Sequence, residues 1–156
     1  MKDERISILK MILKHSDMEK YAYFLLRITL GASFIYIGLD KILAGMEPTA
    51  QMFAGYGVPA ANFFAPVVSY TEFFAGMLLV VGLLTRVSSL AIMVIMFFAI
   101  LFAHISAPYS DPAKQIAFAY FFISALFFLG GGGDYSADEI LYKSIKKQLK
   151  KGKIHL

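Results

Sequence analysis

Residues Phe63 to Ile105 read FFAPVVSYTEFFAGMLLVVGLLTRVSSLAIMVIMFFAILFAHI. Two apolar segments, about Phe63–Leu84 and Val87–Ile105, each have close to the roughly 20 residues that a membrane-spanning helix needs. Little more than Thr85 and Arg86 separates them. This stretch therefore predicts two antiparallel transmembrane helices joined by a tight turn.

The rest of the chain adds two further spans, at about Tyr21–Leu39 and Ile116–Gly130. The last has a short apolar part, so it crosses the membrane only with Ala113–Gln115 and the following glycines, or else is tilted or re-entrant. Of the 156 residues, 58% are hydrophobic, against about 45–50% apolar in soluble domains. The sequence predicts an all-α integral membrane protein, a bundle of four transmembrane helices with basic amphipathic helices in the membrane interface at both termini.

Lysine and arginine placement predicts the orientation. Basic residues gather before the first span and after the fourth, and the joint between spans two and three carries Arg86. The other two joints carry only Lys41 and Lys114. By the positive-inside rule, both termini of this multi-pass protein lie in the cytoplasm, which places it in the cell membrane. We divide the chain into a cytoplasmic amphipathic segment 1–20, a four-span domain 21–133 and a basic cytoplasmic helix 134–156.

The two tails carry apolar and basic residues at helical spacing. Residues 1–20 are charged throughout and lack a continuous apolar core and a cleavage site, so no signal peptide is predicted. Ser136 and Glu139 have the S-x-x-E spacing of a capping box that begins the C-terminal helix. Anionic lipid headgroups would attract both tails. The alternative is a pair of solvated basic tails that only enforce the topology.

Composition excludes several kinds of site. The chain has no cysteine, which excludes disulfides, thiolate nucleophiles and cysteine metal sites. His15 and His155 lie in the tails, so no metal site is predicted from spacing. The net charge of +4 comes from residues beside the spans, which does not indicate a nucleic-acid partner.

Glu72 is a carboxylate near the middle of the second span. Insertion scales put a charge at that depth at about 2.5–3.5 kcal/mol, and such residues normally face the bundle interior with a partner. We predict that Glu72 pairs with Arg27 of the first span. A protonated, neutral Glu72 is the alternative.

Small and polar residues follow the spans at helical spacing, which favours close helix packing. The predicted packing positions are Gly31, Gly38, Ser69, Gly76 and Gly82. In the purely structural interpretation these residues pack the helices together, and Arg27 and Glu72 only specify the fold. In the sharper interpretation the polar residues form a pocket or proton relay in the outer half of the bundle, able to bind a quinone headgroup. Its candidate residues are Arg27, Asp40, Lys41, Glu72, His104 and Tyr120.

Two other features of the sequence have simpler explanations. His104 alone fits an interfacial histidine bonded to backbone or water. The glycines at Gly130–Gly133 lack the strand, spacing and lysine of a phosphate-binding loop, so they indicate a helix stop and a turn.

Several motifs are similar to those of the DoxX family of small four-span membrane proteins. They are RITLGASFIYIGLDKI in span one, GVPAANFFAP before span two, EFFAGMLLVVGLLTR at the hairpin, His104 in span three, and GGGGDYSADE after span four. The resemblance implies a DoxX-like domain over 21–133 and an association with oxidoreductase systems. The positions that match the family are Arg27, Gly31, Gly38, Lys41, Glu72, Gly76, Gly82, Arg86 and His104.

Three functions remain open at the level of sequence. The first is a redox-associated membrane subunit, linked to quinone or docking a soluble oxidoreductase, and not catalytic alone. The second is a non-catalytic scaffold or assembly factor. The third is a subunit of a small-solute or proton transporter, which would need to form a homo-oligomer because four spans are few for a carrier.

Overall fold

The computed structural model describes residues 18–105, 107–108 and 110–150. The predicted N-terminal amphipathic helix lies outside these residues. The described part of the chain is helical and contains no strand. Its elements are α1 (Met18–Ala44), α2 (Met46–Gly55), α3 (Ala61–Val81), α4 (Thr85–Ala99), a π-helical turn (Ile100–His104), α5 (Pro112–Gly130) and α6 (Ala137–Lys150).

Four of these helices are long and apolar enough to cross a membrane: α1, α3, α4 with its π-helical turn, and α5. This confirms the predicted four-span architecture. α1 extends beyond the predicted Tyr21–Leu39 at both ends, so Asp40 and Lys41 lie inside its last turns. α5 begins at Pro112, before the predicted Ile116, and so is long enough to cross the membrane. Its start is stabilised by Pro112 in the first turn and by the Asp111 side chain, which accepts a hydrogen bond from the Ala113 amide at 3.0 Å.

The helices alternate in direction, which gives the bundle two ends. At the hairpin end, α3 turns into α4, α1 begins and α5 ends. At the α2 end, α1 is followed by α2, α3 and α5 begin, and the π-helical turn ends. Which end faces the cytoplasm remains a prediction.

Glycines bring the backbones of α1 and α3 into contact. A Cβ added to Gly38 would lie 2.6 Å from the Phe73 amide nitrogen, and one added to Gly76 would lie 2.7 Å from the Gly31 carbonyl oxygen. Only the missing side chains allow this approach. The glycines therefore fix how α1 and α3 align along their lengths.

The interior of the bundle mixes apolar and small polar residues. Its buried apolar cluster contains Leu30, Phe34, Ala75, Leu79, Ile92, Met96 and Phe127. Ser69, Ser89 and Ser124 are also buried. Large apolar side chains such as Phe74, Phe97 and Phe122 point outward, as expected where lipid replaces water around a protein.

The joint between α3 and α4 is as tight as predicted, but it falls slightly earlier. α3 ends at Val81 and is followed by Gly82, which has a φ of 74°, and Leu84, with a φ of 50°, precedes α4. Thr85 and Arg86 are already helical. Gly82 permits the left-handed turn without a steric penalty, whereas Leu84 adopts it at a cost.

Candidate functional site

Two buried polar groups hold α1 at its opposite ends. At the α2 end, Lys41 and Glu72 form the Lys41–Glu72 pair. At the hairpin end, Arg27, Gly82, Gly132, Tyr135 and Asp138 form what we call the Arg27–Asp138 cluster.

In the Lys41–Glu72 pair, the Lys41 Nζ donates to the Glu72 Oε2 over 2.7 Å. The Glu72 side chain is 2% exposed and that of Lys41 is 19% exposed. Glu72 sits mid-helix in α3 on the side that meets α1, next to Ser69 and Gly76 along that face. The Lys41 side chain extends from the last turn of α1, and its ammonium group contacts the Glu72 carboxylate. The Glu72 carboxylate is therefore shielded inside the bundle, and a ligand can approach the pair from the side of Lys41.

The predicted pairing of Arg27 with Glu72 is wrong. The contact of Gly31 with Gly76 and Val80 sets Arg27, one turn earlier in α1, beside Gly82. Gly82 is about 15 Å along α3 from Glu72 at the helical rise. Arg27 instead donates from Nη1 to the Gly132 carbonyl at 2.8 Å and from Nη2 to the Tyr135 carbonyl at 2.7 Å.

The sequence contained a signal for the correct partner. Lys41 continues the helical stripe that runs through Gly31 and Gly38, so it faces α3. A lysine can extend its flexible stem along apolar surface to reach a polar group.

Asp138 belongs to the Arg27–Asp138 cluster, and sequence reasoning missed it. Its two carboxylate oxygens accept hydrogen bonds from the Leu84 and Thr85 amides at 2.8 and 2.9 Å, and its own amide donates to the Gly82 carbonyl at 2.9 Å. It thus caps α4 from a distant part of the chain. The capping-box spacing drew attention to Ser136 and Glu139, and the motif GGGGDYSADE includes Asp138 without indicating a role for it.

The charge of Asp138 is favoured by this setting. Burial opposes ionisation, but the hydrogen bonds from Thr85 and Leu84 and the charge of Arg27 outweigh it and hold the pKa of the Asp138 carboxyl below its usual value. Asp138 is therefore an anion at neutral pH.

The glycine run shapes the backbone that Arg27 binds. α5 ends at Gly130, which confirms the predicted helix stop, and Gly131 and Gly133 have φ values of 79° and 75°. The turn directs the Gly132 carbonyl to Arg27 and the Gly131 carbonyl to the Tyr23 hydroxyl, which donates to it over 2.9 Å. Half of the predicted capping box forms, since the Ser136 hydroxyl accepts from the Glu139 amide at 3.2 Å.

The six candidate pocket residues do not come together in one place. Tyr120 is half-buried, with its ring 5.2 Å from that of Phe34. His104 is half-buried at the end of the π-helical turn, and Asp40 is exposed. Across residues 18–105, 107–108 and 110–150, none of these three hydrogen-bonds to the Lys41–Glu72 pair.

The chemistry available at the pair is that of a proton-carrying group beside a hydrogen-bond donor. An ammonium group offers three donors, and a carboxylate accepts protons and hydrogen bonds. In the described part of the chain, no group of three or more His, Cys, Asp or Glu residues is placed to hold a metal ion.

Comparison with known proteins identifies the family. The DoxX family model matches residues 22–105, more than half of the chain. The chain belongs to the DoxX family. The matched region of this DoxX protein contains Arg27, Lys41, Glu72 and His104, and it ends before Gly132, Tyr135 and Asp138.

Two relatives share about one third of their aligned residues with this DoxX protein. The Bacillus subtilis (strain 168) protein named "Putative oxidoreductase CatD" is 34% identical over 90 residues, which are 58% of this chain and 65% of that protein. "Uncharacterized membrane protein Rv3486" of Mycobacterium tuberculosis (strain ATCC 25618 / H37Rv) is 32% identical over 82 residues, 53% of this chain and 50% of that protein. The match thus covers less than two thirds of either relative. No solved structure matches the chain.

Proposed function

We propose that this DoxX protein is a redox-associated membrane subunit in which the Lys41–Glu72 pair binds the headgroup of a membrane quinone. The observation that carries the proposal is a buried carboxylate joined to a lysine that remains 19% exposed. Intramembrane charges mark ligand or proton sites by default. The name of the Bacillus subtilis relative, "Putative oxidoreductase CatD", adds support for a redox association.

In this proposal each residue has a distinct role. The Lys41 ammonium donates a hydrogen bond to a quinone carbonyl oxygen, and the Glu72 carboxylate exchanges the protons that accompany quinone reduction or hydroquinone oxidation. Electrons come from or go to a soluble oxidoreductase that docks on the bundle. The membrane subunit itself is not catalytic alone, because its own residues supply binding and proton transfer only.

Quinone retention tests this function. We would purify the protein from quinone-containing membranes in mild detergent and quantify co-extracted quinone by mass spectrometry. Lys41→Met and Glu72→Gln should retain roughly tenfold less quinone than the unchanged protein, the effect of losing a charged hydrogen bond. Glu47→Gln is the matched control, since Glu47 is an exposed carboxylate at the same end that accepts a hydrogen bond from Gln51. Absence of quinone from the unchanged protein, or equal retention in all variants, would refute the proposal.

A non-catalytic scaffold is the second candidate. It is favoured by buried charged side chains that bond to other parts of the same protein. Arg27 is 1% exposed and bonded to two backbone carbonyls, so it acts as a connection between segments. If the Lys41–Glu72 pair is the same kind of connection, Glu72→Gln should lower stability and leave the redox activity of membranes unchanged. A loss of that activity in a stably folded variant would exclude the scaffold.

A further inference from the structure

The C-terminal helix α6 has no buried residue, yet its start is held firmly. Asp138, in the first turn, accepts the Leu84 and Thr85 amides, and Ser136 bonds to both Gly133 and Glu139. α6 is therefore attached at the hairpin end, and Asp138 marks the side of the helix that faces the bundle.

That side of α6 continues as an apolar stripe. Leu141, Ile145 and Leu149 follow Asp138 at spacings of three and four residues, which places all four on one face. The three apolar side chains are 50%, 50% and 37% exposed, respectively. Ile140 lies off this face. The stripe is thus turned the same way as Asp138 and has no covering partner among the described residues.

The attachment point lies where two spans end. Thr85 is the first residue of one membrane-spanning helix, and Val81, just before Gly82, is the last of another. α6 therefore starts at the level of the bilayer boundary. The apolar face of α6 therefore begins at the depth where the surroundings of the bundle change from water to lipid.

The charge of α6 fits an anionic surface. After Glu139, the described helix carries four lysines and no acidic residue: Lys143, Lys146, Lys147 and Lys150. They lie away from the apolar stripe. Lysines near a membrane surface gain about 1 kcal/mol each from anionic lipids. A basic helix with one apolar face is the pattern of an interfacial helix.

We propose that α6 lies on the bilayer that the bundle spans, with Leu141, Ile145 and Leu149 in the lipid and its lysines on anionic phospholipid headgroups. Asp138 sets the rotation of the helix about its axis, because it fixes one residue of the apolar stripe to the hairpin. This inference is independent of the proposed quinone site.

Spin labels on single cysteines test this placement, and the chain has no native cysteine to replace. We would label the full chain at Ile145→Cys or Lys146→Cys and reconstitute it in phosphatidylcholine vesicles with or without phosphatidylglycerol. Collisions with oxygen report lipid and collisions with a nickel chelate report water. With phosphatidylglycerol, the Ile145 label should favour oxygen and the Lys146 label the nickel chelate. Asp138→Ala should reduce this contrast.

Three results would overturn the proposal. One is equal access of the nickel chelate to both labels in phosphatidylglycerol vesicles. Another is the same contrast with and without phosphatidylglycerol, which would exclude recognition of the headgroup. The third is shielding of the Ile145 label that disappears when the protein is diluted in the vesicles, since that identifies a second protein copy as the occupant. Replacement of the four lysines of α6 by glutamine should weaken the phosphatidylglycerol dependence, with Lys151 and Lys153 retained in the chain.

Discussion

Lys41 and Glu72 are 31 positions apart in the chain, and their Nζ and Oε2 atoms are 2.7 Å apart inside the bundle. The pair joins α1 to α3 at the α2 end. Arg27 joins the same helix to the segment after α5 at the hairpin end. α1 is therefore held near both ends by buried charges, with glycine contacts between them.

Loss of one partner in the Lys41–Glu72 pair should cost more than loss of both. Lys41→Met leaves the Glu72 charge buried without its cation, and we expect the free energy of unfolding to fall by about 3 kcal/mol. Replacing both residues, as in Lys41→Met with Glu72→Leu, should recover most of this loss because no uncompensated charge remains. Thermal unfolding in detergent, followed by circular dichroism, measures both.

The control for this experiment is Lys143→Met, which removes an exposed ion pair with Glu139. Its effect should be below about 1 kcal/mol. A double variant as unstable as Lys41→Met alone would contradict the interpretation of Lys41–Glu72 as a coupled buried pair.

The α1–α3 contact predicts opposite outcomes at two glycines. Gly76→Ala places a Cβ against the Gly31 carbonyl and the Ile35 amide, and should destabilise the protein by about 1–3 kcal/mol, the range for overpacking. Gly55→Ala meets no atom within 4 Å and should change stability by less than about 0.5 kcal/mol. Equal effects on the thermal midpoint would show that the backbones are not in contact.

Removal of the Arg27 side chain should release the segment that follows α5. Arg27→Met loses two hydrogen bonds from a charged group, which predicts a loss of about 3 kcal/mol. Hydrogen exchange should become faster at the amides of Leu84, Thr85 and Asp138. Arg86→Met is the control, because Arg86 is exposed at the same end. Unchanged exchange in Arg27→Met would rule out this connection.

Asp138 should make stability depend on pH in the acidic range only. The folded state lowers the pKa of this carboxyl, so its contribution is complete above the unfolded-state value of about 3.9 and is lost as the pH falls through the lower folded value. Compared with Asp138→Asn, the unchanged protein should be more stable by about 1 kcal/mol near neutral pH, a typical capping contribution. The difference should shrink below about pH 4.

Thermal unfolding of both proteins across this pH range gives the measurement. A difference that grows as the pH falls would have the wrong sign and would exclude the charged cap. Asp134→Asn is a suitable control, because Asp134 lies in the same segment with its side chain 48% exposed.

Periodicity and length were sufficient to predict the spans, since the requirement to cross a bilayer acts on every residue of a helix. They also predicted the tight α3–α4 joint and the stop after Gly130. They did not predict which charges meet, because that depends on how far each side chain reaches and on how α1 and α3 align. Glu72 pairs with Lys41 and not with Arg27 as predicted. Arg27 binds backbone carbonyls, and the sequence does not indicate which carbonyls will accept such bonds.

Asp138 shows a second limit of sequence reasoning. A helix cap is predicted from residues adjacent to the helix, whereas α4 receives its cap from a residue more than fifty positions later in the chain. Tertiary contacts of this kind follow from the return of the chain to the hairpin end. They become predictable only after the packing of all four spans is known.

The π-helical turn at Ile100–His104 has a consequence for comparing this chain with its relatives. Its i→i+5 bonding holds one more residue than an α-helical turn, so His104 occupies the angular position that Ala103 would take in a regular continuation of the face carrying Ile92 and Met96. Deletion of one residue there would restore a regular α-helix and leave this histidine at the same angular position. A DoxX relative with a one-residue gap at this turn should therefore keep its histidine on the same face of the helix.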